Sequence, residues 1–186
     1  EPWELVARLA AAVHRIPLDD APELPGSATR HEYGEHLVAD VADLANADED
    51  DVRAAAAWLH AHLPSLEPTT LTHGDLLGRN VLFYPGRPHA ILDWETAERG
   101  DPARDLAMIT SGVRRPFKIE NGLQRLLASY SSRAEREIRE QEVRFHEIQV
   151  HLERYRCALS DKRTSEPAPA ILARLRNLAR LVGAKA

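Results

Sequence analysis

The sequence predicts an α+β fold that is mainly helical and carries one small β-hairpin. Three observations lead there. Apolar residues recur at helical spacing through most of the chain; two short apolar runs in the middle flank a turn-rich pentapeptide; and 186 residues with 44% hydrophobic and 28% charged residues suit one globular domain. A chain of this length buries roughly 70% of its unfolded surface, enough for a substantial core. The whole span 1–186 is therefore read as one domain.

The elements follow in order. Trp3, Leu5, Val6, Leu9, Ala10 and Val13 share one helical face, and Pro17 ends the pattern, predicting a helix over 2–16. The stretch PLDDAPELPGSA reads as an irregular connection before a second helix over about 29–46. The acidic run DEDD at 48–51 favours the positive end of a helix dipole and starts a third helix reaching about His62. Leu71 and Thr72 lead into a loop, then Val81–Tyr84 and Ala90–Leu92 flank PGRPH as a hairpin. After the loop ERGDPAR the helical period returns at Asp105–Ile109, about 120–130, 134–159 and 169–183. No internal repeat is present.

Charge and composition exclude several classes. Residues 1–70 hold 4 basic and 14 acidic residues and 71–186 hold 20 and 15, which together give the net charge of -5. Basic residues interleaved with acids on helices do not form a nucleic-acid footprint. No uncharged apolar run reaches the ~18 residues of a membrane span, and the start lacks a basic region leading into an apolar one. The lone Cys157 excludes an internal disulfide and multi-cysteine zinc sites, so a reducing, cytoplasmic setting is expected.

The informative stretch runs from Leu71 to Ala107, LTHGDLLGRNVLFYPGRPHAILDWETAERGDPARDLA. Phosphoryl transfer requires positioning and charge neutralisation: a carboxylate near the attacking hydroxyl and hard oxygen ligands for Mg2+. Asp75 and Asn80, five apart on one loop, can direct one side chain to an acceptor and the other to a metal. Asp93, at the far end of the hairpin, can return beside them as a second hard ligand. Taken alone, the HGD tripeptide reads more readily as a turn and Asp93 as a strand-end cap; the ordered set is far more specific.

THGDLLGRNVLF followed by AILDWETAERGDPARDLA resembles the catalytic core of the aminoglycoside phosphotransferase family, relatives of the protein kinases with their H-R-D-x-x-x-x-N and D-F-G elements. The resemblance implies a protein-kinase-like C-terminal lobe, a helical assembly with the catalytic loop at the edge of the hairpin. It implies that Asp75 is the catalytic base, that Asn80 and Asp93 hold Mg2+ against the phosphates of ATP or GTP, that His73 ties down the loop, and that Asp105 hydrogen-bonds the loop backbone. Arg79 departs from the small residue frequent before the asparagine, which affects access or charge near the phosphates. In that family the C-terminal helices and the loop after the Mg2+ aspartate line the acceptor pocket. Glu95, Glu98 and Glu120 are candidates there, beside their plainer reading as surface acids. The implied activity is transfer of a γ-phosphoryl group to a hydroxyl of an aminoglycoside, a macrolide, another sugar, or a metabolite such as choline or homoserine, with antibiotic resistance one of its possible settings.

A kinase of this type also needs an N-terminal lobe with a phosphate-covering loop and a strand lysine. The only lysines are Lys118, Lys162 and Lys185, all after the catalytic loop, and residues 1–70 read as helices. The expectation is that this nucleotide lobe is absent, that the isolated chain turns over poorly, and that the face so exposed pairs two copies as a homodimer. Two other classes stay open: a metal-dependent phosphohydrolase using Asp75, Asn80 and Asp93 with water, and a non-catalytic ligand-binding lobe. His146, Glu147 and His151 mimic a metalloprotease helix, but their spacing takes the histidines off one face. Trp94, next to Asp93, is assigned to packing.

Overall fold

Helices form wherever the apolar stripe is continuous, and the short strands gather around the loop that interrupts them. The computed structural model describes residues 2–20, 23–64, 69–76, 78–86, 89–111, 120–160 and 166–184. Helices α1 (Pro2–His14), α2 (Arg30–Asp40) and α3 (Asp50–Ala61) precede strands β1 (Thr70–Thr72), β2 (Val81–Leu82), β3 (Ala90–Ile91) and β4 (Glu98–Gly100). Helices α4 (Pro102–Ser111), α5 (Gly122–Ser131), α6 (Glu140–Leu159) and α7 (Ala168–Leu181) complete the described elements. No helix among the described residues is long and apolar enough to cross a membrane.

Two cores divide the molecule. One joins α2, α3, α6 and α7 through Tyr33, Leu37, Trp58, Leu59, Phe145, Ile148, Leu152, Ile171 and Leu175. The other joins α1, α4 and α5 through Ala7, Ala10, Ala11, Leu106, Ile109, Leu123, Leu126 and Tyr130. Leu76 belongs to the second core and is fully buried, so the residue after Asp75 anchors the catalytic loop by the same apolar burial that holds the helices.

The hairpin forms where the turn signal lies but is shorter than the apolar runs, pairing Val81 with Ile91 and Leu82 with Ala90. A second antiparallel pair was not legible in the sequence: β1 joins β4 with Thr70 opposite Gly100 and Thr72 opposite Glu98. Its strands are only three residues long, too short to show an alternation. The predicted loop ERGDPAR is therefore half strand and half helix start. Asp101 Oδ1 accepts the Ala103 N–H at 3.0 Å, and Pro102 opens α4 at a position that needs no N–H donor.

The second predicted helix divides at Val41 into α2 and a 3-10 turn over Ala42–Asn46. The tighter winding brings residues three apart into line, and it keeps both Val41 and Leu44 buried in the first core. Helix α6 starts at Glu140, six residues later than expected, because Arg139 is extended and its N–H is taken by the Glu142 carboxylate at 2.7 Å. Arg87 and Pro88 of the turn, and all three lysines, lie outside the described residues.

Candidate active site

The loop between β1 and β2 is shaped by one buried carboxylate. Asp105, on the first turns of α4 and fully buried, accepts the backbone N–H of His73 through Oδ2 at 2.9 Å and that of Gly74 through Oδ1 at 2.8 Å. His14, in the last turn of α1, donates from Nε2 to the same Oδ2 at 3.1 Å, and its Nδ1 takes the Tyr130 hydroxyl at 2.8 Å. Burial by itself would raise the Asp105 carboxyl. His14 and the two loop N–H groups outweigh that and hold it below the ordinary carboxylate range.

His73 is the next tie. Its Nε2–H donates to the Leu92 carbonyl at 2.9 Å, which leaves Nδ1 to accept the Asp75 N–H at 3.3 Å. One ring thus fixes the start of the catalytic loop to the end of the hairpin. Trp94 packs edge-on against this ring at 4.7 Å between centroids, and Thr96 Oγ1 donates to the His73 carbonyl at 2.9 Å. Gly74 has φ +78°, and a Cβ there would lie 2.4 Å from the Thr96 carbonyl oxygen, so both conformation and space demand glycine.

Asp75 projects from this frame with its side chain 18% exposed. Its Oδ2 accepts Asn80 Nδ2 at 3.0 Å and Arg79 Nη2 at 2.5 Å, and Asn80 Nδ2 also donates to the Asp75 carbonyl at 2.8 Å. Asn80 spends its amide donors on Asp75, leaving its carbonyl oxygen as the hard donor. The Leu92 N–H reaches the Asn80 backbone carbonyl at 2.8 Å, and the Leu92 carbonyl takes the His73 ring, so Asp93 follows the residue that bridges Asn80 and His73. Asp93 is exposed and has φ +65°, a left-handed conformation that a non-glycine residue adopts at a cost of about 1 kcal/mol and that recurs at functional sites. The Asn80 amide oxygen and the Asp93 carboxylate are hard oxygen donors of the kind Mg2+ takes. They do not make an all-protein cage, and no group of three or more His, Cys, Asp or Glu suited to a metal occurs among the described residues.

Hydrogen bonds thus join His73, Asp75, Asn80 and Asp105 into one unit, and Asp93 follows Leu92, whose N–H and carbonyl bind Asn80 and His73. Of the three glutamate candidates, one is held within the fold. Glu98 accepts Tyr33 Oη at 2.6 Å and Arg104 Nη1 at 2.8 Å, so its carboxylate is committed within the fold. Glu95 and Glu120 are exposed and make no hydrogen bond to the unit among the described residues.

Sequence reasoning missed the supports. His14 and Tyr130 carry no local signal, and neither does the buried ionic cluster behind α4. There Arg30 donates to Asp101 at 2.6 Å and to Glu142 at 2.7 Å, while His146 Nε2 lies 3.2 Å from Asp101. Burial would raise the Asp101 carboxyl, yet His146 and Arg30 hold it far below its ordinary value. The metalloprotease-like spacing on α6 dissolves into this cluster, since His146 faces Asp101 while Glu147 pairs with Arg144 at 2.6 Å.

The profile of the APH phosphotransferase enzyme family matches residues 2–141. A solved structure from Ralstonia eutropha JMP134, provisionally named an aminoglycoside phosphotransferase, superposes with a TM-score of 0.70 at 19% identity, covering 96% of this chain and 62% of that one. A spectinomycin phosphotransferase solved with ADP and spectinomycin superposes with a TM-score of 0.59 at 16% identity, over 95% of this chain and 60% of that one. These likenesses establish a shared kinase-like fold. Among curated proteins, acyl-CoA dehydrogenase family member 10 of Mus musculus is 46% identical over 52 residues, which is 27% of this chain and 5% of that protein. The chain therefore spans about 60% of those two solved chains and a small part of the mouse protein.

Proposed function

The chain belongs to the phosphotransferase enzyme family, and from that premise we propose that it carries the catalytic and acceptor side of a kinase that moves the γ-phosphoryl group of ATP or GTP to a hydroxyl of a small molecule. The observation that supports this reading is the hydrogen-bonded loop in which Asp75 accepts from the Asn80 side chain while the Asn80 backbone carbonyl takes the N–H of Leu92, the residue before Asp93.

Asp75 would orient the acceptor hydroxyl and receive its proton as the oxygen–phosphorus bond forms and the bond to the leaving nucleoside diphosphate breaks. Its ion pair with Arg79 involves an arginine side chain that is 63% exposed, and exposed pairs are worth roughly 0.2–1 kcal/mol, so an entering hydroxyl displaces it at little cost. Asn80 and Asp93 would hold Mg2+, which neutralises phosphate charge when bound. Asp105 and His73 fix the loop so that Asp75 needs no rearrangement during transfer. Helices α1, α2 and α3 occupy most of the first 61 residues and provide no strand lysine for the phosphates. On this reading the nucleotide-clamping lobe is not among these 186 residues, and the chain alone is a poor catalyst.

The test is transfer of label from γ-32P ATP and GTP to a panel of hydroxylated acceptors by the intact source protein. Asp75→Asn is expected to lower kcat about 10^2- to 10^4-fold, the usual worth of a positioned acid–base group. Transfer at the wild-type rate in that variant would remove Asp75 from the reaction.

A further inference from the structure

Arg79 holds the carboxylate at which the proposed transfer begins, and little else holds Arg79. It leaves the 3-10 turn Gly78–Asn80, four residues after Asp75, and donates from Nη2 to Asp75 Oδ2 at 2.5 Å. Among the described residues this is its one hydrogen bond, and no other cation forms an ion pair with Asp75. The side chain is largely exposed, and most of the five N–H donors of its guanidinium are unspent. Its stem begins next to Asn80, whose amide shares Asp75 Oδ2 with it at 3.0 Å.

The charges of the reaction move past this guanidinium. The acceptor hydroxyl takes the place of Arg79 on Asp75. Its oxygen then bonds the γ-phosphorus, its proton passes to Asp75, and the electron pair of the breaking bond leaves with the nucleoside diphosphate. Asp75 thereby loses the negative charge that attracted Arg79, while the phosphoryl oxygens and the leaving diphosphate keep theirs. Those oxygens lie one bond beyond the oxygen that Asp75 holds. A displaced guanidinium on a flexible, solvated stem finds there an anion that its planar fork matches bidentately.

We infer that Arg79 is a catalytic residue: displaced by the acceptor hydroxyl, it passes from Asp75 to the transferring phosphoryl group and neutralises it in the transition state. The inference rests on the phosphotransferase reading of Asp75 and deepens it, since that reading by itself requires no cation at position 79.

The experiment measures transfer from γ-32P ATP and GTP by the intact source protein. Glycerol, 3-hydroxybutyrate and kanamycin serve as neutral, anionic and cationic acceptors, and water alone as a fourth. Arg79→Met keeps an unbranched stem and removes the charge, at an exposed position where the fold tolerates it. It is expected to lower kcat about tenfold or more with every acceptor, water included, while each KM stays within about threefold, the pattern of an interaction made only in the transition state. A smaller loss of kcat overturns the inference. So does a rise in kcat, which would make Arg79 a block on Asp75, and so does a KM effect confined to 3-hydroxybutyrate, which would assign Arg79 to an anionic acceptor. Asp75→Asn separates the two readings. Transfer at the parent rate in that variant overturns the role of Asp75 and this inference with it. Transfer lost in Asp75→Asn and kept in Arg79→Met overturns this inference alone.

Discussion

Replacing Asp105 by Asn changes one oxygen to an NH2 at the point where the catalytic loop is tied to the helices, and its effect follows from the donors that converge there. The carboxylate accepts from three: His73 N–H and His14 Nε2 at Oδ2, and Gly74 N–H at Oδ1. An amide keeps one acceptor atom. In its better orientation the oxygen stays with His73 and His14, and the NH2 meets the Gly74 N–H, donor against donor. The orphaned backbone donor costs about 1–3 kcal/mol, and the two surviving bonds lose roughly 1 kcal/mol each of charge assistance. The total is about 3–5 kcal/mol. At about 2–4 °C per kcal/mol for a chain of this size, Tm falls by roughly 10 °C. Urea melts followed by far-UV circular dichroism give the free energy directly. Because the affected donors belong to His73 and Gly74, kcat also falls under conditions where the variant remains folded. A variant within 1 kcal/mol of the parent would refute the idea that Asp105 is the clasp of the loop.

Other outcomes follow from the same structure. Asp101, Asp105 and Glu142 are all held below their ordinary carboxyl values, so on acidification the unfolded chain takes up protons first, near pH 4, and stability is lost progressively from there down through the lower folded values. Glu153, raised by burial, acts in the opposite sense and is one group against three. Scanning calorimetry from pH 7 to 3 is expected to show Tm level above about pH 5 and falling below it; an unchanged Tm at pH 3.5 contradicts the account. Asp93→Gly relieves the left-handed strain, so it is expected to leave stability unchanged or raise it by up to about 1 kcal/mol while abolishing Mg2+-dependent transfer. Retained transfer in that variant would take Asp93 out of the site. Leu82, Phe83, Tyr84, Leu92 and Trp94 stand exposed together on and after the hairpin, so the 186-residue chain is expected to self-associate through this face as a homodimer. Sedimentation showing a monomer at high concentration, or a dimer unaffected by Phe83→Ser, would count against it.

The sequence by itself determined the helical character of the chain, because an apolar stripe repeated over ten or more residues is readable without knowing what it packs against. It also determined the order His73, Asp75, Asn80, Asp93, Asp105, because a loop, a hairpin and a helix start carry those residues at separations the backbone can close locally. Tertiary structure decided what holds them. Asp105 meets His14 across 91 positions, and His14 meets Tyr130 across 116, partners that no periodicity links. Strands of three residues, such as β1 and β4, show no alternation and exist only because each pairs with the other. Glu98 reads as a free surface acid until Tyr33 and Arg104 arrive from two helices to occupy it. Local pattern follows from covalent spacing, whereas the commitment of each polar group depends on which donors and acceptors burial forces together.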